Sequence, residues 1–187
     1  MKLKGTKTAE NWLKSFAGES QANRRYTYYA KVARKQGYIQ IADIFEETAD
    51  QESMHAKRFF SFLNEDKELQ GEMLGITAEY PVALYEETLD NLKAAAAGEN
   101  EEWTDLYPEF GKIAREEGFG AIAAAFDKIA EVEARHEKRY NKLIENNIFV
   151  RNLLHSDLLI NTLRISIGTK EQMNIVVDVL KKVKSWS

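Results

Sequence analysis

The chain has 187 residues, 30% charged and 44% hydrophobic, with a formal net charge of −4, enough for one full-sized domain and a small appendage. Both charge signs are interspersed without a basic block, which leaves no electrostatic footprint for nucleic acid, and no apolar run reaches the roughly 18–20 residues of a membrane span. Cysteine is absent, which excludes disulfides and thiolate chemistry, so any metal must be held by Glu, Asp or His.

The N-terminus, MKLKGTKTAENW, lacks the apolar core of an export signal, so a cytoplasmic location is expected. Four long segments then carry helical periodicity. The first is expected from about Thr8 to Gln36, stopped by Gly37, and the second from about Ile39 to Asn64. Residues 65–80 form a looser connection. The third helix is expected from about Val82 to Glu117, before Gly118, with Pro108 kinking or locally unwinding it. The fourth covers about Phe119 to Asn146. Two short glycine turns and one longer connection describe an all-α four-helix bundle with one crossover, residues 1–146. Residues 147–187 read as a separate strand-turn-helix appendage, with strands in IFVRN and LRISIGT and an amphipathic helix over Lys170–Lys184.

The two halves of the bundle repeat each other. Moving residues 26–58 forward by 81 positions aligns thirteen identities, among them Tyr26/Tyr107, Gly37/Gly118, Phe45/Phe126, Glu52/Glu133 and His55/His136. Upstream the offset slips to 80, matching Gly18-Glu19 with Gly98-Glu99. One extra residue inside a matching helix predicts a π-bulge between Glu99 and Tyr107.

Each half supplies a Glu on its first helix and Glu-x-x-His on its second: Glu19 with Glu52 and His55, then Glu99 with Glu133 and His136. Residues three apart share a helix face, so each Glu-x-x-His pair reaches one point from one helix. Ferritin-like di-iron bundles hold their metals in this arrangement. All four glutamates interrupt apolar stripes, such as Ile41, Phe45, Ala49 and Phe59 around Glu52 and Leu92, Ala95, Trp103, Leu106 and Phe110 around Glu99. Unpaired buried carboxylates cost several kcal/mol each, and no Lys or Arg shares these stripes closely, so two divalent cations are the expected counter-charge. Glu102 adds a fifth carboxylate on the Glu99 face, where the first half has Gln21. Iron suits this ligand set, and manganese or a mixed pair is also compatible. Trp12 and Trp103 read as packing residues.

The segments FAGESQANRRYTYYA, FEETADQESMHAKRFF, LKAAAAGENEEWTDLYPEFGKIAREEG and EVEARHEKRYNKL resemble the four helices of rubrerythrins over residues 1–146. That resemblance implies two irons bridged by Glu52 and Glu133, with Glu19, Glu99 and His136 as terminal ligands. It implies an exchange of Glu102 for His55 at one iron on reduction, with Tyr26 and Tyr107 hydrogen-bonded to the ligand shell. The implied activity is reduction of hydrogen peroxide to water in oxidative stress defence, and a homodimer is implied. With no cysteine for the rubredoxin domain usual in this family, electrons are expected from an external donor such as rubredoxin or a reductase. The alternative is a ferroxidase or iron-handling protein that uses oxygen. The stretch VRNLLHSDLLINTLRISIGTKEQMNIVVDVLKKV resembles the C-terminal end of histidinol-phosphate aminotransferase, and the substrate role of the arginine matching Arg164 is not carried over.

Overall fold

The computed structural model describes residues 2–146, 149–152, 163–166, 174, 177 and 178. Helix α1 spans Lys7–Lys35 and opens on Thr6, whose hydroxyl accepts the Ala9 N–H at 3.1 Å, so a side chain satisfies one of the helix's first free donors. The turn into α2 (Ile39–Glu65) is made by Gly37 at φ +82°. There the Tyr38 N–H reaches back to the Ala33 carbonyl at 2.8 Å and the Gly37 N–H to Arg34 at 3.0 Å. The second half repeats this device at Gly118, φ +83°, with Phe119 bonded to Ala114 at 2.7 Å and Gly118 to Arg115 at 3.0 Å. Glycine alone takes this left-handed φ without steric cost, so the internal repeat is a repeat of geometry.

The third helical segment opens at Thr88, not at Val82 as its apolar pattern suggested. Residues 80–87 run instead as a strap along α1, whose side chains take its backbone acceptors. Gln21 donates to the Pro81 carbonyl at 2.7 Å, Tyr29 to Ala83 at 2.7 Å and Gln36 to Glu86 at 3.1 Å. Tyr80 fastens the near end by donating to the Lys14 carbonyl at 2.9 Å. The carboxamide of Asn91 then bonds both the N–H and the C=O of Tyr85 at 2.9 Å, holding the entry to the helix.

That segment has three parts: α3 (Thr88–Glu101), a π turn (Glu102–Leu106) and α4 (Tyr107–Glu116). The expected bulge is present, and the Tyr107 N–H bonds the Glu102 carbonyl five residues back. Pro108 follows at the start of α4, where its missing N–H is tolerated. One added residue turns the helix face by about 100°. This corrects one expectation: Leu106 leaves the core stripe and is exposed. Helix α5 (Gly120–Asn146) completes the bundle.

The core falls into two apolar clusters. One gathers Tyr26, Tyr29, Phe45, Leu92 and Tyr140; the other holds Trp12, Phe59, Tyr107, Ile122 and Phe126. Trp12 meets Phe59 and Phe126 edge-on, with ring centroids 4.6 Å apart in each case. Along every long helix the glutamate falls between the cluster members, so a layer of carboxylates separates two oily ends. Beyond the bundle, β1 (Phe149–Asn152) pairs antiparallel with β2 (Leu163–Ser166), Val150 opposite Ile165. Asn174, Val177 and Asp178 have helical backbone; the rest of the helix expected over 170–184 lies outside the described residues. Among the described residues no helix is long and apolar enough to cross a membrane.

Candidate metal centre

Glu19, Glu99 and Glu133 are fully buried and Glu52 is 1% exposed. Helix phase alone puts them there, because each replaces an apolar residue on the inward face. They form two overlapping clusters with the histidines: Glu19, Glu52, His55 and Glu133, and then Glu52, Glu99, Glu133 and His136. Within each, the potential ligand atoms lie within 4.8 Å of one another. Glu52 and Glu133 belong to both, as the repeat requires of the two residues nearest its axis. The imidazoles face each other with centroids 6.3 Å apart and planes 24° from parallel.

Contacts in the clusters are close. His55 Nδ1 lies 3.0 Å from Glu133 and 3.1 Å from Glu52, while His136 Nδ1 lies 2.8 Å from Glu133 and 3.3 Å from Glu52. Yet both Nδ1 atoms, both oxygens of Glu52 and Glu133, and one oxygen each of Glu19 and Glu99 are buried without a hydrogen-bond partner. A bundle with eight orphaned ligand-type atoms aimed at two points is built for a cation at each. The donor set of carboxylates and imidazoles suits divalent iron.

The remaining oxygens are held from outside. Tyr26 donates to Glu99 at 2.6 Å, and Tyr107 donates to Glu19, so each half's tyrosine steadies the other half's glutamate. His136 Nε2 lies 2.6 Å from Gln51 Oε1, which fixes that ring with Nδ1 toward the cluster. Gln51 carried no signal in the sequence beyond its place beside Glu52, and its repeat equivalent is Val132.

The electrostatics follow from burial and crowding. Burial raises the Glu19 carboxyl to about 8, against relief from His55. Burial, then the charge of Glu52, drives Glu99 well above the carboxylate range. Burial resists charging His136, but its contacts with Glu133, Glu52 and Glu99 outweigh that and push it up to about 12. His55 is raised on the same balance, with Glu133, Glu19 and Glu52 overcoming its burial. Glu133 drops to about 2 because His136 and His55 outweigh its own burial. The buried centre thus holds an excess of negative charge that bound cations or protons must offset.

Glu102, the residue expected to exchange with His55, is placed differently from the six cluster residues. It belongs to neither cluster and sits instead on the π turn, half-buried, beside a cleft. Burial, then Glu19 and Glu99, hold its carboxyl well above the usual range. Two corrections concern its surroundings. Arg25, 8% exposed, is a buried cation near Glu102 that the stripe argument missed. Trp103 is more than packing: its indole N–H donates to Glu137 at 2.6 Å, and Glu137 also accepts from Asn100 and Asn141 at 3.1 Å each.

A helical bundle with two overlapping Glu/His clusters at its centre defines the class of non-haem di-iron carboxylate proteins with a ferritin-like fold. The chain belongs to the rubrerythrin family, whose model matches residues 10–144. It is 61% identical over 145 residues to rubrerythrin-1 of Clostridium acetobutylicum, covering 77% of this chain and 73% of that one. It is 59% identical over 142 residues to rubrerythrin of Porphyromonas gingivalis, covering 76% and 68%. The fully reduced, all-ferrous structure of nigerythrin matches with a TM-score of 0.65 at 33% identity, covering 78% of this chain and 72% of that one. The protein is therefore a di-iron oxidoreductase of the rubrerythrin type, with two iron ions as its cofactor. The family match ends at residue 144 and leaves the aminotransferase likeness of residues 147–187 without support.

Proposed function

We propose that this chain is a peroxidase of oxidative stress defence, in which hydrogen peroxide takes up two electrons and two protons and leaves as two waters. The observation that carries the reading is the pair of clusters with orphaned ligand atoms at the centre of the bundle. In this reading Glu52 and Glu133 would serve both irons, with Glu19 and His55 completing one site and Glu99 and His136 the other. Two ferrous ions held there supply electrons and Lewis acidity for cleavage of the O–O bond.

The remaining work belongs to side chains. Tyr26 and Tyr107 hold the outer oxygens of Glu99 and Glu19, so the inner oxygens stay aimed at the metals. Gln51 does the same for His136. Glu102, off the clusters and raised in pKa by burial and by its acidic neighbours, would hold a proton for a departing oxygen, and it is the residue that would exchange with His55 at one iron on reduction. Electrons come from a separate donor such as rubredoxin or a reductase, since the sequence has no cysteine to hold a thiolate relay. The reading extends to a cytoplasmic homodimer, which sedimentation checks.

The test is anaerobic loading with Fe(II), followed by rapid mixing with peroxide or oxygen while the absorption of the oxidised iron pair is followed. Oxidation faster by peroxide than by oxygen is expected; the reverse order would favour a ferroxidase. Glu102→Gln should slow oxidation by peroxide while two irons remain bound.

A further inference from the structure

We infer that the cleft beside the π turn is a hydroperoxide-binding site, and that this protein reduces alkyl hydroperoxides as well as hydrogen peroxide. The inference rests on the peroxidase reading and extends its substrate class. The cleft has a volume of about 370 Å³ and lies between α1 and the third helical segment, roofed by residues 78–81 where the chain enters the strap. Its floor includes Glu102 and Tyr107. Tyr107 is the residue bonded to Glu19, so the floor of the cleft is the wall of the metal centre. The other clefts described, along α1 and α2 and beside the N-terminus, include no cluster residue.

Size and lining point to the ligand. Hydrogen peroxide is two oxygen atoms, and one water takes up roughly 30 Å³ in the liquid, so the cleft is several times larger than peroxide needs. The walls carry Tyr80, Leu106 and Phe110, an apolar surface with nothing to offer peroxide but well matched to an alkyl group. Among the polar lining residues Arg25 is buried and Glu102 half-buried. Arg25 donates through Nε to Gln21 at 2.6 Å, while its Nη1 is buried without a partner. An unpaired buried guanidinium N–H calls for an acceptor oxygen, and Glu102 across from it offers a proton or an acceptor. An alkyl hydroperoxide meets both demands, with its O–O end at Arg25 and Glu102 and its carbon end against Leu106 and Phe110. Two helix glycines that are repeat equivalents border the space. A Cβ at Gly18 would stand 3.5 Å from the Tyr80 ring, and one at Gly98 would stand 3.9 Å from the Arg25 guanidinium.

In the reaction the O–O bond breaks with two electrons from the same external donor and two protons, giving an alcohol and one water. The experiment mixes the iron-loaded, reduced protein with hydrogen peroxide or tert-butyl hydroperoxide. It compares the natural chain with Gly18→Leu and Ala78→Trp, which fill the cleft from the helix and from the strap. Iron content is measured for each, and binding of tert-butyl alcohol is followed by saturation-transfer NMR. The natural chain should be oxidised by both peroxides. Each variant that keeps two irons should lose about tenfold with tert-butyl hydroperoxide, retain most of its rate with hydrogen peroxide, and lose alcohol binding. Oxidation of the natural chain by hydrogen peroxide alone would overturn this inference and leave the peroxidase reading intact. Oxidation by neither would sink both, and equal slowing of the two peroxides by the variants, or none, would remove the cleft from the route of alkyl hydroperoxides.

Discussion

The two halves of the bundle were built on one plan and then diverged at one place. In the first half α1 runs unbroken from Glu19 to Tyr26, and Gln21 faces outward to hold the strap. In the second, the same interval is one residue longer and is accommodated by the π turn, which carries Glu102. The equivalent of Glu137, the residue that clasps Trp103 and Asn100, is the buried Ala56. Conversely, His136 is fixed by Gln51, and no hydrogen bond holds the outer nitrogen of His55 among the described residues. Symmetry thus makes the cage for two like metals, and asymmetry sets the side that carries Glu102 apart from the other. Binding asks for the first, and the proposed proton delivery by Glu102 asks for the second.

The largest test separates shared residues from unshared ones. Glu133→Ala removes a carboxylate common to both clusters and should take iron from two per chain toward none, whereas Glu19→Ala should leave about one, as metal analysis would show. Equal losses would mean that the clusters do not overlap as described. Next comes the asymmetry itself. Deleting Thr104 restores the spacing of the first half, and oxidation by peroxide should fall about a hundredfold, the scale of one positioned proton donor. Two irons should remain, and stopped-flow absorption would reveal an unaltered rate if the π turn were merely decorative.

The tyrosines probe what stayed symmetric. Tyr26→Phe and Tyr107→Phe each leave a buried carboxylate oxygen unsatisfied and should cost about 1–3 kcal/mol. The two costs should be nearly equal in thermal melts of the loaded protein. Protonation gives a test without iron. The Glu19 carboxyl, raised from 4.5 to about 8, binds its proton more tightly in the folded state, so metal-free stability should fall as pH rises through that window. His136, raised from 6.5 to about 12, extends the fall to higher pH, while Glu133, lowered to about 2, opposes it only below 4.5. Because iron displaces these protons, its stabilising effect should grow over the same range; a melting temperature for the metal-free chain that is flat from pH 5 to 8 would contradict the protonated cage. The smallest effect belongs to Glu137→Gln, which keeps one acceptor for Trp103 and should cost about 1 kcal/mol. Amide exchange should quicken at 102–107 and not at the matching stretch of α1.

Much of this is legible in the sequence. Glu52, His55, Glu133 and His136 were readable because helical spacing converts directly into a shared face, and the repeat made chance coincidence untenable. The π turn was readable for a simpler reason: a slip from an offset of 81 to 80 must be absorbed somewhere between Glu99 and Tyr107. The start of the third helix was not. Val82 and Leu84 fit an apolar pattern, but carbonyls at 81, 83 and 86 are claimed by side chains of α1 that lie far away in sequence. Leu106 was misplaced because periodicity assumes a constant turn, and the bulge changes it.

The sequence by itself determined the helices, their glycine turns and the six inward Glu and His residues, since each depends on spacing of a few residues along one chain segment. Only the tertiary structure decided which tyrosine holds which glutamate, that Gln51 orients His136, that Arg25 is buried beside Glu102, and that Glu102 lines a cleft. Those facts depend on distances between helices, and local periodicity carries no information about what stands opposite.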